Sequence, residues 1–384
     1  MHARPAIPQL TSLRFFAALH VVLFHNLYLY GDSLQLPLLA KNFVSIGFTA
    51  VYFFFILSGF ILAYVYGETL AGGRHGWGLS AFWAKRIARI YPLFFLGMML
   101  DAPRVFSYFL GTGGLFAGTA KIFTAAGANL LLIQAWFPRI APTWNSPGWS
   151  LSDEAFFYLL FPFAALRIRG MPAKYLPIFL IALALFSLLI ILPFVLALDP
   201  TAKNSTWGTM ARYNPILHLA EFVFGIGLER LFSLHKFTLK WGFIAGVLGI
   251  VLVAWISPRI PILFLHNGAM TPIFGVLIFS VASGNGFLSG CLNKRSLVLL
   301  GNSSYALYIL HQHLKTYIVW LAARPGLGPS PLLFGSYLTV ILAASIFAHL
   351  LIEEPARKRL QKISEPIIDQ MIQAASRRSG SQLR

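Results

Sequence analysis

The chain is a succession of apolar blocks of about 20 residues separated by short polar segments. At 1.5 Å of rise per residue, a helical block of that length crosses the roughly 30 Å hydrocarbon core of a bilayer. The blocks predict ten spanning helices, near residues 12–30, 46–66, 86–101, 150–166, 175–198, 214–230, 241–257, 268–283, 297–322 and 332–352. The fold class is therefore an all-α polytopic membrane protein. An eleventh stretch, 120–137 (K-I-F-T-A-A-G-A-N-L-L-L-I-Q-A-W-F-P), fits either a further span or a re-entrant or interfacial segment.

The polar segments decide between these. With ten spans and the N-terminus inside, the inner segments are 1–11, 67–89, 167–174, 230–240, 284–296 and everything from 353 onward. They hold 20 of the 30 lysines and arginines, and the outer segments hold eight. That bias is the positive-inside pattern. Counting 120–137 as a crossing would invert every later segment and lose it. The stretch is expected not to cross, and both termini are expected in the cytoplasm, in a bacterial inner membrane. The organisation is one membrane domain, 1–355, followed by a basic tail, 356–384. The tail opens A-R-K-R-L-Q-K and is expected to lie on anionic lipid.

Composition narrows the class. The chain is 57% hydrophobic and 11% charged, against about 25% charged for a soluble domain. A net charge of +18 would suggest nucleic-acid binding in a soluble protein. Here the inner loops account for it, and no nucleic-acid partner is expected. A single cysteine, Cys291, excludes an internal disulfide and a cysteine metal cluster. The ten histidines form no H-E-x-x-H motif, so no metal is expected. The first block is read as a retained span, because Arg14 interrupts a signal-peptide pattern and no A-x-A-like site follows.

Ionisable residues inside spans are expensive and point to function. The first span, Leu10 to Tyr30, carries Arg14 and His25. Eleven residues separate them, about 16 Å of rise and only about 20° beyond three full turns. They share a face, while His20 lies on another. The bland alternative is a snorkelling arginine and a histidine that caps a neighbouring helix. Arg86 and Arg89, in W-A-K-R-I-A-R-I-Y-P, are three apart at the expected cytoplasmic surface. Two guanidiniums on one face suit phosphate or pyrophosphate, although an ordinary positive-inside anchor reads the same way. Ser58 and Gly59 permit close helix packing.

The segment W-N-S-P-G-W-S-L-S-D-E-A-F-F-Y-L-L-F-P (144–162) contains Trp149, Ser152, Asp153 and Glu154. Ser150 or Ser152 is a candidate helix cap, with the acids in the first turn. Glu154 reads either as favourable N-terminal charge or as an acid near the outer mouth of a cavity. His218 and Glu221 are three apart on one face, and a buried carboxylate needs a partner or a proton. His311 lies deep in the span of S-S-Y-A-L-Y-I-L-H-Q-H-L, with His313 facing elsewhere. The arginines fall on the cytoplasmic side, and His25, Glu154, His218, Glu221 and His311 in the central to outer half. That asymmetry suits two substrates arriving from opposite faces.

Taken in order, these motifs resemble the acyltransferase-3 family of integral membrane acyltransferases over about residues 9–359. The match is carried by Arg14 and His25 with ten residues between them, by Ser58 to Phe60, and by R-x-x-R followed by I-Y-P at Arg86 to Pro92. It continues with W-S-L-S-x-E at Trp149 to Glu154, Phe157 to Pro162, G-x-x-S-Y-x-L-Y-x-x-H at Gly301 to His311, and I-E-x-P at Ile352 to Pro355. The chain departs from the common E-E-Q pattern, having Ala155 and Phe156 after Glu154, and has Glu354 where a basic residue is common. The resemblance is to the stand-alone form, so no fused esterase-like domain is expected. The resemblance implies a cytoplasmic acyl-CoA donor, usually acetyl-CoA, and a carbohydrate or lipid-linked sugar acceptor on the other side. No permanently bound cofactor is implied. Arg14, Arg86 and Arg89 would hold the CoA phosphates. His25 would act as general base or as acyl carrier, and Glu154 would orient it or bind the acceptor. Trp149, Ser152, Glu221 and His311 rank second. A transporter or flippase of an anionic amphiphile, with arginines on cargo and carboxylates carrying protons, is the competing function.

Overall fold

The structure, a computed structural model, describes residues 4–71, 75–198, 205–235, 238–284, 287–324, 326–360 and 362. Among them there is no strand. The helices run α1 (Pro8–Tyr30), α2 (Leu38–Ser45), α3 (Ala50–Ala71), α4 (His75–Leu130), α5 (Trp149–Arg169), α6 (Leu176–Ala197), α7 (Thr206–Tyr213) and α8 (Leu219–Leu234). They continue as α9 (Gly242–Ile256), α10 (Ile262–His266), α11 (Thr271–Ser283), α12 (Phe287–Leu292), α13 (Arg295–Asn302), α14 (Ser304–Ala323) and α15 (Pro331–Ala348). Past α15 the chain makes a π-helical turn, His349–Glu353, before resuming α-helix.

Each of the ten predicted blocks coincides with one long helix, except that 297–322 is broken at Ser303 into α13 and α14. Seven of the helical stretches are long and apolar enough to cross a membrane on length and composition alone. The spans outside that count are α5, α8 and α14, which carry Asp153 and Glu154, Glu221, and His311 and His313. Their polarity has a structural counterpart. Leu185 and Leu189 on α6 and Leu248 and Leu252 on α9 point outward, while Asp153, Glu221 and His311 are buried within the bundle. Lipid is the solvent that makes this arrangement favourable.

Close approach of backbones sets the centre. On α3, a Cβ at Gly59 would collide with the Phe222 carbonyl of α8, and one at Gly225 of α8 would collide with the Ile56 carbonyl of α3. The small residues let the two helices touch backbone to backbone.

The ambiguous stretch 120–137 is resolved by Gly114. Its φ of 65° and ψ of −176° reverse the chain inside α4, a conformation open to glycine. The arm after Gly114 doubles back, so that the Tyr91 hydroxyl donates to the Leu130 carbonyl. From there the chain climbs again. The Trp144 indole donates to the Met98 carbonyl at 2.9 Å, and the Asn145 amide donates to Asp101 at 2.8 Å. The segment therefore enters and leaves on one side without crossing.

At the opposite end, Arg4 pairs with Glu229 at 2.7 Å and with Glu68 at 2.6 Å, and Arg169 approaches Glu68 at 3.7 Å. The start of the chain and the C-terminal ends of α3, α5 and α8 thus meet at one end, as alternating span directions require.

Candidate active site

Arg14 of α1, Arg86 and Arg89 of α4, and Glu154 of α5 line one cavity of about 310 Å³. The sequence reading puts Glu154 in the central to outer half and these arginines on the cytoplasmic side, whereas in the structure they line one cavity. The reason lies in the re-entrant segment. Because the chain arrives at α5 from inside the bundle, α5 starts deep rather than at a surface. Its fifteen residues from Glu154 to Arg169 then place Glu154 about 22 Å from the ion-pair end. Arg86 and Arg89 are recessed with it, not at the membrane surface, since α4 begins at His75.

The helix start also differs from the expected cap. Neither serine caps α5, which is entered through a 3-10 turn at Ser146–Gly148. Ser150 Oγ donates to the Pro147 carbonyl at 3.0 Å and meets the Tyr308 hydroxyl at 2.8 Å. Ser152 Oγ accepts from the Ala135 amide at 3.3 Å, tying α5 to the re-entrant segment.

The charges around the cavity are unequally engaged. Arg86 donates to the Tyr66 hydroxyl at 3.2 Å and lies over its ring, and Glu154 accepts from Tyr158 at 3.1 Å. Arg14 and Arg89 make no hydrogen bond or ion pair within 4 Å among the described residues. Their guanidiniums face space rather than protein. Two residues beyond the sequence candidates join the wall: Glu353, in the π-helical turn, and Arg357 one turn later. Glu353 accepts from His349 Nδ1 at 2.9 Å. The signal for Arg357 was available, because residues four apart share a helix face. It was hidden inside a basic run that reads as a lipid-binding tail. Such a cavity, with four arginines and two carboxylates, is built for a polyanion.

His25 lies outside this lining, about 16 Å along α1 from Arg14. It meets His311 of α14, with His25 Nδ1 2.9 Å from His311 Nε2. His311 Nδ1 is in turn 2.7 Å from the Tyr308 carbonyl. A carbonyl only accepts, so His311 Nδ1 carries the proton, and in the neutral ring Nε2 is an acceptor. His25 must then donate from Nδ1, which leaves its Nε2 lone pair for substrate. Lys315 donates to the His25 carbonyl at 2.9 Å and fixes α1 against α14. Tyr308 links the two regions. Its side chain lines the cavity and shares hydrogen bonds with Ser150 and the Pro147 carbonyl, and its own carbonyl orients His311.

The remaining candidates fall elsewhere. Glu221 is fully buried, and among the described residues neither carboxylate oxygen meets hydrogen-bond geometry; Asp153 is in the same condition. Trp149 packs on Tyr213 with centroids 4.8 Å apart and on His218 at 5.8 Å. His218 Nε2 donates to the Arg212 carbonyl at 2.9 Å. His313 turns away from His25 to meet Asn145 at 3.0 Å, and His20 turns to the Phe43 carbonyl at 2.7 Å. Among the described residues no three His, Cys, Asp or Glu side chains converge to hold a metal.

Comparison with known proteins identifies the family. A family model described as an acyltransferase domain matches residues 7–350. The acyltransferase MdmB of Streptomyces mycarofaciens is 29% identical over 79% of this chain and 78% of its own. The exopolysaccharide production protein ExoZ of Rhizobium meliloti is 26% identical over 82% of this chain and 91% of its own. The O-acetyltransferase OatA of Staphylococcus aureus is 24% identical over 94% of this chain, which spans 58% of that longer protein. No solved structure matches. The chain belongs to the acyltransferase-3 family and is an integral membrane acyltransferase.

Proposed function

We propose that the protein moves an acyl group, acetyl in the first instance, from cytoplasmic acyl-CoA to a hydroxyl of an extracytoplasmic carbohydrate or lipid-linked sugar. The observation that carries the donor is the pair of guanidiniums, Arg14 and Arg89, which line a cavity, make no hydrogen bond or close ion pair among the described residues, and are backed by Arg86 and Arg357. CoA offers the diphosphate and monophosphate that such a wall binds. Two relatives support the group and the acceptor class, one named an O-acetyltransferase and the other an exopolysaccharide production protein.

In this reading the donor's phosphates bind at the arginines and its thioester arm runs along α1 toward His25. The acceptor hydroxyl gives its proton to His25 Nε2 as its oxygen attacks the thioester carbonyl. The carbon–sulfur bond breaks, and the leaving thiolate takes the proton from His25. The ester and free CoA result, and the imidazole returns to its starting state. His311 accepts from His25 Nδ1–H throughout and becomes more favourable when His25 is cationic. Ser150 and Tyr308, hydrogen-bonded to each other, line the cavity on the path to His311.

The test is thiol release from acetyl-CoA by purified protein in nanodiscs, with a glycan extract as acceptor. Wild type is expected to release thiol, and His25→Ala is expected to release none above background. Full activity in His25→Ala would overturn the assignment. Absence of both thiol release and CoA binding in the wild type would favour the transporter.

A further inference from the structure

The four arginines around the cavity are not equivalent in depth. Tyr30 of α1 packs on Phe334 of α15 with centroids 5.2 Å apart, and the two helices run in opposite directions. Nineteen residues further along α15, Glu353 shares a cavity with Arg14, sixteen residues back along α1. Arg357 is one turn beyond Glu353, about 6 Å further from His25. Leu10 and Thr11, four and three residues before Arg14, line the same cavity. Among the described residues the Arg357 guanidinium makes no hydrogen bond and no ion pair within 4 Å, although Glu354, three residues away, acts on its charge. The neighbouring Lys358, by contrast, is held by Glu354 at 2.7 Å. Glu353 lies one turn nearer to His25 than Arg357 and acts on the charges of Arg14 and Arg89. It is 4% exposed and fixed by the His349 ring.

An acyl-CoA donor carries two separate anionic groups. The diphosphate joins the acyl-bearing arm, and the monophosphate sits on the ribose 3′ oxygen at the far end. With the arm directed at His25, the diphosphate must lie inward and the ribose outward. We propose that Arg357 reads the ribose 3′-phosphate of the donor, while Arg14, Arg86 and Arg89 hold the diphosphate. Glu353 keeps the two positions apart, because a fixed carboxylate repels phosphate and accepts from a ribose hydroxyl. The π-helical turn fits this role. It places Glu353 and Arg357 on the cavity side where a continuous α-helix would rotate them differently, and such turns recur at functional sites. The inference rests on the donor reading above.

The experiment compares equilibrium binding of CoA and 3′-dephospho-CoA to wild type, Arg357→Gln and Arg89→Ala in nanodiscs. Wild type is expected to prefer CoA by about tenfold or more, the scale of one charge-assisted contact. Arg357→Gln is expected to lower CoA affinity to that of dephospho-CoA and leave dephospho-CoA affinity unchanged. Arg89→Ala is expected to weaken both ligands by a similar factor. A wild-type preference that survives in Arg357→Gln, or an equal loss for both ligands, would overturn the assignment. A wild type that prefers neither would do the same. If wild type binds neither ligand, the donor reading itself fails, a result distinct from failure at Arg357 alone.

Discussion

At the scale of residues, His25 depends on one neighbour that local spacing cannot reveal. Arg14 and His25 are legible as a pair because eleven residues nearly complete three turns. His311 is legible only as a deep imidazole, because its partner comes from another helix and periodicity carries no information between helices. The hydrogen bond from His25 Nδ1 to His311 Nε2 turns this into a prediction. His311→Leu should lower turnover by about 10- to 100-fold while leaving donor KM unchanged, as expected when a base loses its orienting partner. His311→Gln retains an acceptor near the former Nε2 and should recover much of the loss. Because the two rings act as a unit, His25→Ala combined with His311→Leu should be no worse than His25→Ala alone. Steady-state thiol release across these variants reads all three outcomes. Additive losses would mean that His311 serves packing instead.

At the scale of elements, apolar blocks located nearly every span, since lipid makes block length a strong constraint. They failed where polarity is internal. α4 reads as a short span because Asp101 and Arg104 interrupt it, yet the helix continues to Gly114 before reversing. Those two residues hold the re-entrant segment. Asp101, 5% exposed, accepts two bonds of 2.6 Å from Arg104 and one of 2.8 Å from the Asn145 amide, with His313 3.6 Å away. Asn145 sits at a φ of 46°, and its chain leads directly into α5 and Glu154. Asp101→Ala would leave Arg104 half-exposed and the Asn145 amide without its acceptor. It should cost about 2–4 kcal/mol of stability and reduce activity through α5. Thermal unfolding in detergent beside thiol release checks both. A second prediction concerns the α3–α8 contact. Gly225→Leu should prevent the Ile56 approach and abolish folded yield, whereas Gly335→Leu, which has open space around its Cα, should express normally.

At the scale of the whole molecule, the site is polar along the membrane normal. The arginine cavity lies toward the end where Arg4, Glu68, Arg169 and Glu229 gather, and the histidine pair lies about 16 Å further along α1. The inner segments that the positive-inside bias assigns to the cytoplasm belong to that same gathered end, although loop charge and tertiary ion pairs are independent observations. Under the proposed function they predict an orientation for the reaction: donor from the side of the ion-pair end, acceptor from the other. Sealed proteoliposomes test this directly, with a C-terminal epitope tag reporting which way each population faces. Acetyl-CoA supplied on the tagged side should release thiol. Acetyl-CoA supplied on the opposite side should not, because a polyanion does not cross the bilayer to reach the arginine cavity. Equal release from both sides would place donor and acceptor in one aqueous compartment, and would remove the reason for separating four arginines from a histidine pair by half a membrane.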